Sequence, residues 1–218
     1  MKYNILSTGS KGNCIIIDDY LVLDCGLSYK KMQEYLDKVK LIFISHKHSD
    51  HLNKATIHKI SYEYPTIKFI VGNPLVAELI LCGVKEKNII TVETGNWYNI
   101  NIFKFKLDYL FHDVPNDCIH IELKDGTKIL YATDTTKISH INAPNYDYYF
   151  IEANYDTNEE LDKKIKESKE KGEFTHLERV RNTHLSQLDA INWYDKNKGK
   201  NSEIIYIHQH EEKEKENV

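Results

Sequence analysis

A wholly apolar run, Leu41–Ile44, leads without a break into Ser45-His46-Lys47-His48-Ser49-Asp50-His51. The run reads as a strand buried on both faces, so it belongs inside a sheet. Its end must then present three imidazoles and a carboxylate within six residues. His46 and His48 are two apart, so in an extended loop they point to the same side. Asp50 and His51 follow at the start of a helix and can turn toward a second point. Imidazole plus carboxylate without thiolate suits Zn²⁺, Mn²⁺ or Fe²⁺.

Around this string the chain alternates β-rich runs with helical patterns. Strands are expected at Tyr3–Leu6, Cys14–Ile17, Leu21–Leu23, Lys68–Val71 and Ile89–Val92. Further strands are expected at Trp97–Phe111, Cys118–Leu123, Lys128–Ala132, Tyr148–Ile151 and Glu203–Ile207, with Asp125-Gly126 as a hairpin turn. Helices are expected at Ser28–Leu36 (Ser28 as N-cap), Leu52–Tyr62, Pro74–Leu81 (stopped by Gly83), Asn158–Lys171 and Ser186–Asn197. This order fits an α/β (α+β) fold with two sheets between helices, one domain over residues 1–210, and a charged, frayed tail at 211–218.

Charge narrows the partners. Twenty-nine basic residues against thirty-three acidic give a net charge of −4, so no global basic field marks a general nucleic-acid binder. Any phosphate must be held locally. The four Cys, at positions 14, 25, 82 and 118, form no C-x-x-C pair, and the N-terminus shows no apolar export segment. No apolar run is long enough to cross a bilayer. A cytoplasmic protein of bacterial or phage type is expected, in the host cytoplasm if phage-encoded, without membrane partners; a homodimer is compatible with the sequence.

The histidine string resembles the metallo-β-lactamase superfamily, and further segments extend the likeness. Leu6-Ser7-Thr8-Gly9-Ser10-Lys11-Gly12-Asn13, Leu23-Asp24-Cys25-Gly26-Leu27-Ser28, Phe111-His112-Asp113 and Ala132-Thr133-Asp134-Thr135 are similar to segments of the YycJ/WalJ-type exonuclease subgroup. Glu152-Ala153-Asn154-Tyr155-Asp156, Leu177-Glu178-Arg179-Val180-Arg181, His184-Leu185-Ser186 and Ile207-His208 continue it in order, and the last motifs also resemble the tRNase Z branch. The resemblance implies a four-layer αββα sandwich and two divalent ions per chain, Zn²⁺ or Mn²⁺. It implies His46, His48 and His112 on one ion, Asp50, His51 and His208 on the other, and Asp134 bridging. Two departures stand out: Thr183 replaces the usual Gly before His-Leu-Ser, and His210 replaces a small hydroxyl residue and competes with His208 as the final ligand.

Two divalent ions against the carboxylates of Asp50 and Asp134 leave a net positive site that attracts phosphate despite the acidic chain. Asp50 would also accept a proton from the attacking water, and Asp24 is a candidate to orient a ligand imidazole. By the tRNase Z resemblance His184 would protonate the leaving oxygen, with Glu152 keeping it charged. Ser10, Asn13, Asn154, Arg179 and His210 are candidate substrate contacts. His58, His120, His140 and His176 carry no motif and read as structural. The expected activity is a dinuclear metal-dependent phosphodiesterase, a 5′-to-3′ nuclease on DNA. A cyclic-nucleotide phosphodiesterase keeps the chemistry and changes the substrate. A non-catalytic binding or regulatory protein on the same fold is the rival from another class, and the intact ligand set argues against it. A β-lactamase role lacks an export signal, and a thioester hydrolase has only the shared metal motif behind it.

Overall fold

The computed structural model describes residues 1–173 and 175–209. Its contacts separate two compact units. The first comprises Met1–Asn99 with Phe105–Leu107, and the second comprises Ile100–Lys104 and the chain from Asp108 on.

The first unit is built on a mixed sheet of β1 (Tyr3–Ser7), β2 (Cys14–Ile17), β3 (Leu21–Leu23), β4 (Leu41–Phe43), β5 (Lys68–Gly72) and β6 (Ile89–Val92), in that spatial order. β1 to β3 pair antiparallel, while β3 to β6 run parallel, with Leu23 opposite Phe43 and Phe43 opposite Ile70. Every residue of β2, β3 and β4 is buried, as expected of strands covered on both faces. Alternate residues Ile16, Val22, Ile42, Phe69 and Val71 belong to one apolar cluster with Ile57, Ile60 and Leu79. Ile57 and Ile60 lie three apart on helix α2 (Lys54–Glu63), and Leu79 lies on α3 (Val76–Leu81). Each such side chain contributes about 1.5–3 kcal/mol when fully buried.

The second sheet runs β12 (Glu203–Ile207), β11 (Tyr148–Glu152), β10 (Lys128–Ala132), β9 (Asn116–Leu123), β8 (Phe103–Leu110) and β7 (Trp97–Asn99). β9 and β10 form the expected hairpin, with Gly126 at φ +87° where a side chain would be strained. β10, β11 and β12 run parallel. Helix α6 (Gln187–Asn197) lays Ala190, Trp193 and Tyr194 into one cluster with Tyr149 and Ile151 of β11. Ser186 caps it by accepting from the amide of Asp189 at 3.1 Å.

Local differences from the sequence expectation have simple causes. The expected strand Trp97–Phe111 is two strands, interrupted where the Ile100 amide donates to the Phe103 carbonyl. The helix expected from Ser28 is short: α1 covers Tyr29–Met32, a 3₁₀ turn follows at Gln33–Tyr35, and the Ser28 side chain makes no cap bond. Helix α2 starts at Lys54 because Asn53 accepts from Thr56 N and caps it. Pro74 sits in a 3₁₀ turn, Asn73–Leu75, just ahead of α3. After α4 (Asn158–Glu170), the unforeseen helix α5 (Leu177–Thr183) has four polar or charged residues in its first six and no clear apolar period. No helix among the described residues is long and apolar enough to cross a membrane. The four cysteines are buried free thiols.

Candidate metal centre

In both units the candidate residues collect at the carboxyl ends of parallel strands, where open α/β sheets place their ligands. In the first unit Asp24 follows β3 and His46 follows β4; in the second, Asp134, Glu152 and His208 come at the ends of β10, β11 and β12. Asp24, Asp134 and His208 all adopt positive φ (60°, 51° and 51°). Such backbone is costly for a non-glycine residue and persists where the surroundings hold it.

In the first unit His46, His48 and His51 converge. His46 Nε2 lies 3.0 Å from His48 Nδ1, and the His46 and His51 ring centroids are 4.1 Å apart. His51 donates Nδ1–H to Asp24 Oδ2 at 2.6 Å, which leaves Nε2 to present a lone pair. Asp24 is fully buried and also accepts from Ser45 N at 2.7 Å and Ser45 Oγ at 2.9 Å. It therefore sets the tautomer of His51, as the sequence suggested. Asp50 Oδ2 lies 3.4 Å from His51 Nε2.

Backbone threading fixes this loop. Asn13 N donates to Asp50 O, Cys25 N to His51 O, and Gly26 N to Asn13 O. Gly26 packs so tightly that a Cβ there would lie 1.7 Å from the Asp50 carbonyl oxygen. Asn13 was a candidate substrate contact, but it is buried. Its amide oxygen accepts from Gly9 N at 2.8 Å and its amide nitrogen donates to Gly9 O and Asp50 O, each at 3.2 Å, so it holds the ligand loop. Ser10 stands exposed on the adjoining turn.

In the second unit His112 donates Nδ1–H to the Thr183 carbonyl at 3.0 Å, and its Nε2 lies 3.8 Å from Asp134 Oδ2. Burial pushes the His112 pKa down, with Asp134 and Asp113 acting the other way; a neutral imidazole is the form that ligates a cation. Thr133 Oγ1 donates to Asp134 Oδ1 at 2.7 Å. His208 Nε2 lies 3.6 Å from Asp134 Oδ1, and its Nδ1 lies 3.4 Å from Glu152 Oε1. His210 falls outside the described residues.

Asp134, Glu152, His184 and His208 offer ligand atoms within 4.8 Å of one another. Glu152 is nevertheless saturated. Its Oε2 accepts from Thr135 N at 2.8 Å and Leu185 N at 3.2 Å, and its Oε1 takes His184 Nδ1 at 2.5 Å with His208 Nδ1 beyond. A carboxylate so occupied is a positioning group. Burial raises the Glu152 pKa, yet the charge and hydrogen bond of His184 outweigh it and the net shift is downward. Burial likewise lowers His184, and the Glu152 carboxylate more than offsets it, so His184 is raised.

Asn154 is buried and donates to His208 O at 3.1 Å, and its Oδ1 has no partner among the described residues. Arg179 Nη2 lies 3.3 Å from Asp113 Oδ2, whose other oxygen lies 3.1 Å from His112 Nε2. Thr183 is buried and bonds Arg179 O through its hydroxyl while its carbonyl orients His112.

Asn116 carried no sequence signal, yet its buried amide donates to Thr133 O and Asp134 O, at 2.8 and 2.7 Å, and so fixes the turn that presents Asp134. His58 bonds the Cys82 carbonyl and His120 a Tyr146–Asp108 pair, in keeping with structural roles, while His140 bonds the Tyr109 carbonyl.

The donor set fits divalent ions. His51 and His112 each give one ring N–H to a fixed oxygen and turn the other nitrogen toward a neighbouring donor, and the carboxylates beside them are held by hydroxyl or amide donors.

Comparisons agree with this geometry. A family model described as "Beta-lactamase superfamily domain" matches residues 20–209. Cytidine monophosphate-N-acetylneuraminic acid hydroxylases of Sus scrofa and Xenopus laevis are 36% and 38% identical over 110 residues, 48% of this chain. The match spans only 25% and 18% of those proteins. The metallo-β-lactamase fold protein YhfI from Bacillus subtilis is similar with a TM-score of 0.69 at 14% identity, covering 95% of this chain and 85% of that one. The short form of human tRNase Z superposes with a TM-score of 0.67 at 16% identity, covering 98% and 94%. With the family match running through both histidine-bearing units and the same fold recurring in these structures, the chain belongs to the metallo-β-lactamase superfamily.

Proposed function

We propose that this protein is a dinuclear metal-dependent phosphodiesterase acting on nucleic acid, with DNA cut from a 5′ end as the preferred substrate. In this reading His46, His48 and His112 would hold one ion, Asp50, His51 and His208 would hold the second, and Asp134 would serve both. The ions, when bound, polarise the phosphoryl group and supply a nucleophile at neutral pH. The protein's own residues do the rest. Asp24 and Thr183 O keep His51 and His112 in the ligating tautomer. Asp50 accepts the proton of the attacking water. His184 carries the proton for the leaving oxygen on Nε2, because Nδ1 is committed to Glu152.

The Glu152–His184 pair carries the reading. A thiolate leaves without a proton, so a thioester hydrolase has no use for a buried carboxylate saturated by donors that holds an imidazole at 2.5 Å. The His184 side chain is 16% exposed, enough for a substrate oxygen to reach it. Support also comes from the similar proteins: tRNase Z is named for a nucleic acid and the hydroxylases for a nucleotide conjugate. That second name keeps a cyclic or small nucleotide diester as the alternative substrate. A reducing cytoplasm, as four buried free thiols suggest, belongs to the same reading.

The test is turnover of bis(p-nitrophenyl) phosphate, 5′-phosphorylated DNA strands, RNA and cyclic nucleotides, each with Mn²⁺ and with Zn²⁺, beside nitrocefin and a glutathione thioester. Diester cleavage is expected to dominate. Faster turnover of nitrocefin or the thioester overturns the proposal.

A further inference from the structure

Beyond the metal ligands, the second unit carries a groove of about 620 Å³ between the chain that follows β10 and helix α6. This is within the roughly 300–1,000 Å³ typical of ligand clefts. Its walls bear Lys137 and His140 on one side and Asn192, Trp193 and Lys196 on the other. Asp189 is the acidic member of the lining, and its carboxylate is engaged by Ser186 Oγ at 2.8 Å and Asn158 Nδ2 at 2.9 Å. Two lysines, Lys137 and Lys196, against this one carboxylate leave the lining net positive.

One wall continues into an aromatic cluster. His140 stacks on Tyr109 at 4.9 Å and meets Phe111 edge-on at 4.7 Å, while Tyr109 and Phe111 pack at 5.2 Å. The cluster is anchored, since His140 Nε2 donates to Tyr109 O at 2.9 Å. It is also accessible, with Tyr109 53% exposed. Lys137 Nζ lies 4.1 Å over the Phe111 ring, which joins a cation to the stack. The sequence ties the assembly to the candidate centre: Phe111 precedes His112, Lys137 follows Asp134 by three, and Leu185 of the lining follows His184.

Two exposed rings, Tyr109 and His140, beside lysines are the chemistry that holds unpaired bases and the phosphates between them. We infer that the groove and the Tyr109–Phe111–His140 cluster seat a single-stranded nucleic acid, bases on the rings and phosphates on Lys137 and Lys196. This rests on the phosphodiesterase reading and names its substrate form: a strand with unpaired bases rather than an intact duplex.

The experiment measures binding without catalysis. Metal-stripped protein in chelator is titrated into fluorescein-labelled oligothymidylate of about ten nucleotides and into a hairpin duplex, with anisotropy as the readout. Tyr109→Ala is expected to weaken single-strand binding roughly 5- to 100-fold, the worth of one stacked base, with Tyr109→Phe restoring it. Lys137→Gln and Lys196→Gln should each reduce the slope of log affinity against log salt by about 0.7. Thermal unfolding of each variant confirms the fold. Unchanged single-strand affinity and salt slope in the folded variants overturn the inference, as does tighter binding of the duplex. Binding is read without metal and cleavage separately with Mn²⁺ or Zn²⁺: cleavage there with variant-insensitive binding here removes this inference alone, whereas variant-sensitive binding here with no cleavage there removes the hydrolase reading.

Discussion

Asp24→Asn separates support of the metal centre from support of the fold. The Asp24 carboxylate is fully buried and accepts three hydrogen bonds, Ser45 N on Oδ1 and both Ser45 Oγ and His51 Nδ1 on Oδ2. An asparagine keeps the shape and one acceptor oxygen but turns the other oxygen into a donor. Either Ser45 N–H or His51 Nδ1–H then faces an amide N–H. Leaving one buried donor unmet costs about 1–3 kcal/mol, which sets the expected loss of stability of the metal-free protein in urea unfolding. The second consequence is specific to the site. Without its acceptor, His51 no longer holds the proton on Nδ1, and Zn²⁺ affinity should fall about 10- to 100-fold, the usual cost of losing a partner behind a ligand. Competition with a chromophoric chelator at pH 7.5 measures this. Thr157→Ala, which removes the cap of α4 and should cost about 1 kcal/mol, is the control for destabilisation alone. An Asp24→Asn protein that loses the expected stability yet binds Zn²⁺ like the Thr157→Ala control refutes the reasoning.

Gly26→Ala places a methyl 1.7 Å from the Asp50 carbonyl oxygen, so the ligand loop must move; reduced Zn²⁺ affinity together with a lowered Tm is expected, and unchanged values of both contradict the close packing. Burial, and secondarily Asp108, pushes the Asp117 pKa up to about 6. The folded state thus favours the protonated form, and stability falls as pH rises from about 4 through 6. Asp117→Asn should be more stable than the parent above pH 6 by about 1–3 kcal/mol and no different near pH 3, as checked by urea unfolding across that range. His184→Ala should keep its metal and lose about 10²–10⁴ in turnover of a natural diester, roughly 3–5 kcal/mol, but far less on a p-nitrophenyl ester whose leaving group needs no proton. Equal losses on both would make His184 a positioning residue.

Much of this was legible in the sequence because the signals are local. The apolar run before His46, the spacing of His46, His48, Asp50 and His51, and the Asp125-Gly126 turn all report on neighbours in the chain. Asp24 was a candidate to orient a ligand imidazole, and the structure pairs it with His51. The partners of lone residues were not legible. His112, Asp134 and His208 are unremarkable in spacing and stood out only through resemblance. Asn116 acts across a hairpin on a residue eighteen positions on, and Thr183 acts through its backbone carbonyl, which no side-chain pattern encodes. Asn13 and Asn154, expected as substrate contacts, are both buried, and their amides bond the backbone carbonyls of Asp50 and His208. The aromatic cluster escaped notice because Tyr109 and Phe111 read as ordinary strand residues until His140 was folded against them.

The central claim, one dinuclear centre sharing Asp134, is tested most directly by native mass spectrometry of the protein after Zn²⁺ or Mn²⁺ supplementation and removal of free metal, alongside Asp134→Ala. The account predicts two ions per chain in the parent and weakened binding of both in the variant, since a bridging carboxylate serves each. A parent that retains at most one ion, or a variant that loses only one of two, contradicts it.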